Sequence, residues 1–149
     1  MKRTRPTWKT AIKRRQVSLP IRKHLMRELT DPCKRVLDYG CGRGYDADRL
    51  GMFKYDPHFS PEAPEGKFDY IYCGYVLNVL TQSEGRQIIK EIQSLLTPRG
   101  VAYVAVRRDM KPDNPNQRKV VLDGEVISYH DNSRYALYYF WSDSEVKVK

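Results

Sequence analysis

No stretch of about 18 consecutive apolar residues occurs in this 149-residue chain, so no helix of ordinary length is expected to span a membrane. Cysteine is scarce: Cys33, Cys41 and Cys73 are an odd set with no C-x-x-C spacing. That argues against a disulfide framework and against a zinc site, and for a reducing, cytoplasmic setting. The basic start, "MKRTRPTWKTAIKRRQ", leads into no apolar core and does not read as a secretory signal. Two common phosphate-binding signatures are missing as well. There is no G-x-x-x-x-G-K-[ST], and G-x-G-x-x-G fails because Tyr45 stands where its third glycine belongs. Internal repeats and low-complexity runs are absent. The length and the 40% apolar content fit one globular domain with a single core.

The charge of +9 is unevenly spread. Residues 1–35 hold twelve Lys/Arg against Glu28 and Asp31, whereas the other 114 residues hold fifteen basic and sixteen acidic side chains. A basic segment on a neutral body is a contact for a polyanion such as DNA or RNA, a solvated arm, or a lid that folds over the domain's binding site. We expect residues 1–17 to form a loose arm and 18–149 to form the domain, with no oligomer indicated.

Periodicity outlines the domain. "SLPIRKHLMRELTDP" reads as a helix with Ser18 as cap, Pro20 in the first turn and Ile21, Leu25 and Leu29 on one face. "RVLDYG", "MFKYD", "FDYIYCG" and "VAYVAV" read as short buried strands. Thr81-x-x-Glu84 opens a helix carrying Ile88, Ile89, Ile92, Leu95 and Leu96, and "TPRG" (97–100) reads as a turn. The tail is β-rich, with Asp123-Gly124 as a hairpin signal. Apolar strands alternating with helices imply parallel pairing, and the tail would add antiparallel strands.

The most informative stretch is "VLDYGCGRGYDADRL" (36–50). Glycines at the carboxyl end of a first strand permit a tight turn and close approach of a ligand to the backbone. Asp38-x-Gly40-x-Gly42-x-Gly44 resembles the first motif of class I S-adenosylmethionine-dependent methyltransferases. The resemblance extends in order to Asp56 in "YDP", "FDYIYCGYVLNVL" and "LLTPRGVAYVAV". "TAIKRRQVSLPIRKHL", "DYGCGRGYD", "YDP" and "GYVLNVL" together resemble the N-terminal domain of DNA phosphorothioation-associated methyltransferases, over about Thr10 to Arg108. This resemblance implies a Rossmann-like α/β fold with S-adenosylmethionine as cofactor; a nucleic acid or nucleotide-like acceptor would explain the glycine loop and the basic arm together. The resemblance also implies cofactor contacts from Asp38, Gly40, Cys41, Gly42, Gly44, Asp56, Pro57 and Gly74, with Asp56 facing the ribose.

The fold is expected in reduced form. Between the second strand and "FDYIYCG" lie only Pro57–Lys67, with prolines at 57, 61 and 64. Eleven extended residues span about 36 Å, enough to cross back over a strand of about 17 Å and little more. An edge strand and its helix are therefore expected to be missing.

Methyl transfer from a sulfonium needs positioning more than an acid–base triad, and none is found. The [DNS]-P-P-[YFW] motif of amino-methylating DNA enzymes is replaced by "CGYVLN" (73–78), and no Pro-Cys pair stands at the expected loop. Tyr75 and Asn78 are the catalytic candidates, each with a structural alternative as pocket wall or turn cap. His24, His58 and His130 could each serve as a base or be structural. Arg107 and Arg108 could grip an anionic acceptor or be solvated. Two other activities fit the same residues: binding S-adenosylmethionine without transfer, and cleaving it.

Overall fold

The computed structural model describes residues 6–111 and 113–149. Six strands build the main sheet: β1 (Val36–Tyr39), β2 (Phe53–Tyr55), β3 (Phe68–Gly74), β4 (Leu96–Arg107), β6 (Ile127–Asp131) and β7 (Tyr135–Trp141). Their order across the sheet is β2–β1–β3–β4–β7–β6. The first four pair in parallel, β7 runs antiparallel to β4, and β6 antiparallel to β7. A separate ribbon pairs β5 (Leu122–Gly124) with β8 (Val146–Val148). The result is the mostly parallel, Rossmann-like α/β sheet with antiparallel C-terminal strands that the sequence implied.

Strand alternation sends side chains to two cores. Leu37, Ile71, Cys73, Ala102 and Val104 join the core under α3 (Gln82–Leu95) and the β5–β8 ribbon. Val36, Tyr72, Tyr103, Ala105 and Leu137 join the other core. That second core is covered by a π-wound turn (Ile21–Leu25) leading into α1 (Met26–Leu29) and by α2 (Tyr45–Leu50). The expected capping box opens α3: the Glu84 amide donates to Thr81 Oγ1 at 3.1 Å and the Thr81 amide to Glu84 Oε1 at 2.8 Å. Ile88, Ile89 and Ile92 line its buried face, each contributing about 1.5–3 kcal/mol by leaving water.

The sheet ends at β2, where Phe53 is 51% exposed, and residues 57–67 cross to β3 without forming a strand. Arg35 holds this crossing. Its guanidinium donates to the Lys67 and Glu65 carbonyls at 3.0 and 2.8 Å and lies over the rings of Phe53 and Phe68. The trimmed edge is thus an observed feature.

Several local expectations are corrected. Ser18 does not cap with its side chain; its hydroxyl lies 3.3 Å from Tyr72 Oη and its amide donates to Asp46 Oδ1. "TPRG" is a bulge within β4, where the register jumps from Phe68–Leu96 to Tyr70–Val101, and Leu96 is already strand. Asp123-Gly124 does not turn a hairpin but lies in β5, paired with Lys147 and Val146. The β6–β7 hairpin turns at Asn132, whose Oδ1 accepts from the Arg134 and Tyr135 amides. The arm is not loose over its described part: Thr7 is buried and residues 7–10 form a 3₁₀ turn against the body. Residues 1–5 lie outside the described residues.

Candidate functional site

The carboxyl end of β1 leads directly into the glycine loop. The Gly40 and Cys41 amides both donate to the Tyr55 carbonyl, at 2.7 and 2.9 Å, which folds the chain sharply over β2. Gly40, Gly42 and Gly44 all have positive φ. At Gly40 a Cβ would also lie 2.5 Å from Val76 Cγ2, so both conformation and space require glycine. Asp56 ties the loop to the end of β2. Its Oδ2 accepts from the Gly42 amide at 2.9 Å, and its Oδ1 accepts from the His58 and Phe59 amides.

Above the loop lies a pocket with an acidic floor. The parallel register sets Asp38 opposite Tyr72, and both line the pocket with Asp46. Asp38 is 4% exposed, and burial pushes its carboxyl well above the usual range, helped by the nearby charges of Asp46 and Asp56. Asp46 is better compensated: it accepts from the Ser18 amide at 3.0 Å and lies 4.0 Å from Arg14 Nε. Tyr72 is buried, its phenol pushed up by desolvation. Its ring lies 2.6 Å from where a Cβ on Gly74 would sit, so glycine at 74 makes room for the Tyr72 ring beside the pocket.

Tyr75 follows directly. It is the one non-glycine residue with positive φ among the described residues, at 62°, a conformation that costs about 1–3 kcal/mol and clusters at functional sites. Its amide donates to the Ala105 carbonyl at 2.9 Å, which fixes the strained residue to β4. Burial raises its phenol to about 12 against the opposing pull of Arg14 and Arg107. The Arg14 guanidinium stands over its ring, 5.8 Å from the centroid.

The basic arm closes the pocket. Thr7, Ala11, Ile12 and Arg14 face the glycine loop across it, leaving a cavity of about 90 Å³. Trp8 stacks on His58 at 4.1 Å and 6°, and Tyr45 Oη donates to the Arg15 carbonyl at 3.0 Å.

A family model described as "Methyltransferase domain" matches residues 13–142. The chain belongs to that methyltransferase family. No curated protein matches it. Among solved structures it is similar to LepI in complex with SAM, with 12% identity, 91% of this chain and 52% of that chain covered, and a TM-score of 0.50. It is also similar to an O-methyltransferase family protein from Burkholderia thailandensis (12% identity, 72% and 50% covered, TM-score 0.47). A third is PKMT2 from Rickettsia typhi in complex with AdoHcy (20%, 54% and 24% covered, TM-score 0.39). At these identities the likeness is one of fold. The chain spans about a quarter of the length of PKMT2 and about half that of LepI.

Within this methyltransferase domain, Asp38, Gly40, Cys41, Gly42, Gly44, Gly74 and Tyr75 converge on one pocket. Burial raises the Cys41 thiol to about 12, so it is neutral there. Asp56 and Pro57 do not line the cavity in this closed arrangement; Asp56 is 3% exposed and braces the loop. Asn78 does not reach the pocket at all. It is 1% exposed, its Oδ1 accepts from the Arg107 amide at 2.7 Å, and its Nδ2 donates to the Arg118 carbonyl at 3.0 Å. It is a staple between the 3₁₀ turn at residues 77–79 and two later segments, and the expectation that it stands beside the acceptor is corrected. Of the histidines, His24 Nε2 pairs with Tyr135 Oη at 2.7 Å beside His130, and His58 supports Trp8. Arg108 is internal, bonded to the Val120 carbonyl and Tyr138 Oη with Asp131 nearby.

Sequence reasoning missed Thr7, Ala11, Ile12, Arg14, Asp46 and Tyr72. Period-2 alternation back from Gly74 marks Tyr72 as facing the pocket. Nothing local in the sequence announces that the arm folds back over residues 40–45.

Proposed function

We propose that this methyltransferase-domain chain transfers a methyl group from S-adenosylmethionine to a nucleic acid or nucleotide-like acceptor. The observation that carries the reading is the seat of the arm: the segment with the excess positive charge is also the roof of the glycine-loop pocket. A polyanion drawn to the arm is thereby delivered to the reaction site.

The residues present fit that cofactor in chemistry. A buried carboxyl at Asp38, with no hydrogen-bond partner among the described residues, suits a cationic ligand. Gly42, whose Cβ position meets only Ala11 at 3.6 Å, leaves the backbone open to close approach on the pocket side. S-adenosylmethionine, when bound, supplies a methyl carbon already activated by its sulfonium. Asp38 would balance positive charge at the pocket floor, and Asp56 would hold the loop in shape. Tyr75, neutral at physiological pH, would wall the acceptor side and donate a hydrogen bond rather than take a proton.

Small-molecule sites occupy about 300 Å³ or more, so a cavity of about 90 Å³ admits the cofactor only when the arm lifts. Ala11 packs 3.6 Å from the Cβ position of Gly42, and the arm's Trp8 stack and Arg15 carbonyl bond lie at exposed positions, which suits local opening. The test is transfer from methyl-labelled S-adenosylmethionine to single-stranded DNA, duplex DNA, RNA and nucleotides, with a no-acceptor control. Label in a nucleic acid or nucleotide supports the reading. Binding with no labelled product points to a non-transferring binder, and cofactor turnover in the control points to cleavage.

A further inference from the structure

Tyr75, Ile12 and Arg14 are shared between the glycine-loop pocket and an adjoining groove of about 330 Å³. Five arginines from separate parts of the chain converge on this groove: Arg14 and Arg15 from the arm, Arg22 from the first helical turn, Arg107 from the end of β4, and Arg134 from the β6–β7 turn. Only one carboxylate joins them, Asp109, and it is already engaged by Arg107 Nε at 2.9 Å. Arg22 Nε donates to the Val17 carbonyl at 2.7 Å, which fixes that guanidinium at the edge. The side chains of Arg15 and Arg134 have no hydrogen-bond or ion-pair partner among the described residues.

The contrast with other arginines is informative. Arg35, Arg108 and Arg118 are each tied to backbone carbonyls and serve the fold. In the groove, Arg14 lies 4.0 Å from Asp46 and Arg107 is held by Asp109, which leaves Arg15, Arg22 and Arg134 without a carboxylate partner among the described residues; like charges gathered in this way repel one another until an anion enters. Guanidinium forks match phosphate oxygens in a bidentate geometry. The aliphatic side chains of Val17 and Leu19 between them offer a surface for an uncharged sugar or base edge.

We propose that this groove is a phosphate-binding track that holds the acceptor of the methyl group by its phosphodiester backbone. The inference rests on the reading that the glycine-loop pocket supplies the methyl, because only then does the junction at Tyr75 face an acceptor. It gives that acceptor a chemical class and a docking surface distinct from the pocket itself.

The test uses the full chain without cofactor and a fluorescein-labelled ten-nucleotide single strand, read by anisotropy across a salt series. The double substitution Arg15→Gln with Arg134→Gln should weaken binding roughly tenfold. It should also flatten the slope of log affinity against log salt by about 1.4, at about 0.7 for each phosphate that is no longer neutralised. A control pair on α3, Arg86→Gln with Lys90→Gln, removes the same charge away from the groove and should leave the slope nearly unchanged. Thermal unfolding of each variant shows that the fold is intact. A strand with an uncharged backbone should fail to compete. The proposal is overturned if the groove pair binds like wild type, if both pairs act alike, or if the uncharged strand competes. Competition by AMP at equal phosphate concentration would overturn the polymer as the phosphate's source. Oligonucleotide binding with no S-adenosylmethionine binding would sink the functional reading while leaving the phosphate track standing.

Discussion

Replacing Gly40 by alanine tests whether the glycine loop is shaped by the two constraints described above. The backbone at Gly40 has φ +80°, and an L-residue there costs about 1–2 kcal/mol. The new Cβ would also lie 2.5 Å from Val76 Cγ2, and Val76 is 4% exposed, so it has little room to yield. Overpacking of this kind costs about 1–3 kcal/mol. Gly40→Ala should therefore lower unfolding stability by about 2–5 kcal/mol in urea denaturation, with little change in the denaturant slope. Val76→Ala alone removes two buried methyl groups and should cost about 1.6 kcal/mol. In the double variant the overlap is gone and the backbone strain stays. The cycle should show a favourable coupling of about 1–3 kcal/mol, with about 1–2 kcal/mol of the glycine penalty unrecovered. A Gly40→Ala cost below about 0.5 kcal/mol, or a coupling near zero, would refute this account of the loop.

Burial, with the charges of Asp46 and Asp56 and against that of Arg14, disfavours the ionised Asp38 carboxyl, whereas a cation in the pocket favours it. Binding S-adenosylmethionine should release a proton, so affinity should rise with pH through the range where free Asp38 is still protonated; Asp38→Asn should flatten that profile in calorimetry. Trp8→Ala removes the stack on His58 and should speed cofactor association severalfold in stopped-flow measurements; an unchanged or slower rate would argue against the arm as a cover. Asn78→Ala strands the Arg107 amide and the Arg118 carbonyl, each worth about 1–3 kcal/mol, and should cost about 2–6 kcal/mol of stability. A variant as stable as wild type would mean that Asn78 is not the staple described.

The parts of this molecule that could be read from sequence are those whose signals are local. The Thr81–Glu84 box, the alternation in β3 and β4 and the glycine spacing after β1 each act within a few residues, and each stands where expected. Long-range packing was not visible. Gly124 does adopt a positive φ, as its turn signal implied, but β8 pairs with β5 across more than twenty residues and converts a hairpin into a ribbon. A usable signal went unweighed at Asn132, whose side chain caps the real turn. Asn78 looked like a pocket residue because it follows β3 closely. The Arg107 amide and the Arg118 carbonyl instead consume its side chain. The sequence allows the arm as a polyanion contact, a solvated segment or a lid, and nothing in it tells of Ala11 meeting Gly42 or of Trp8 meeting His58.

The most direct single experiment is a calorimetric titration of S-adenosylmethionine and S-adenosylhomocysteine into the full chain, alongside Gly42→Arg. The side chain added in that variant would fill the space between the glycine loop and Ala11. Micromolar binding of both ligands to the wild type, abolished in a Gly42→Arg protein that still unfolds cooperatively, is the predicted result. Failure of the wild type to bind either ligand, or equal binding by the variant, would contradict the assignment of the glycine loop as the cofactor site.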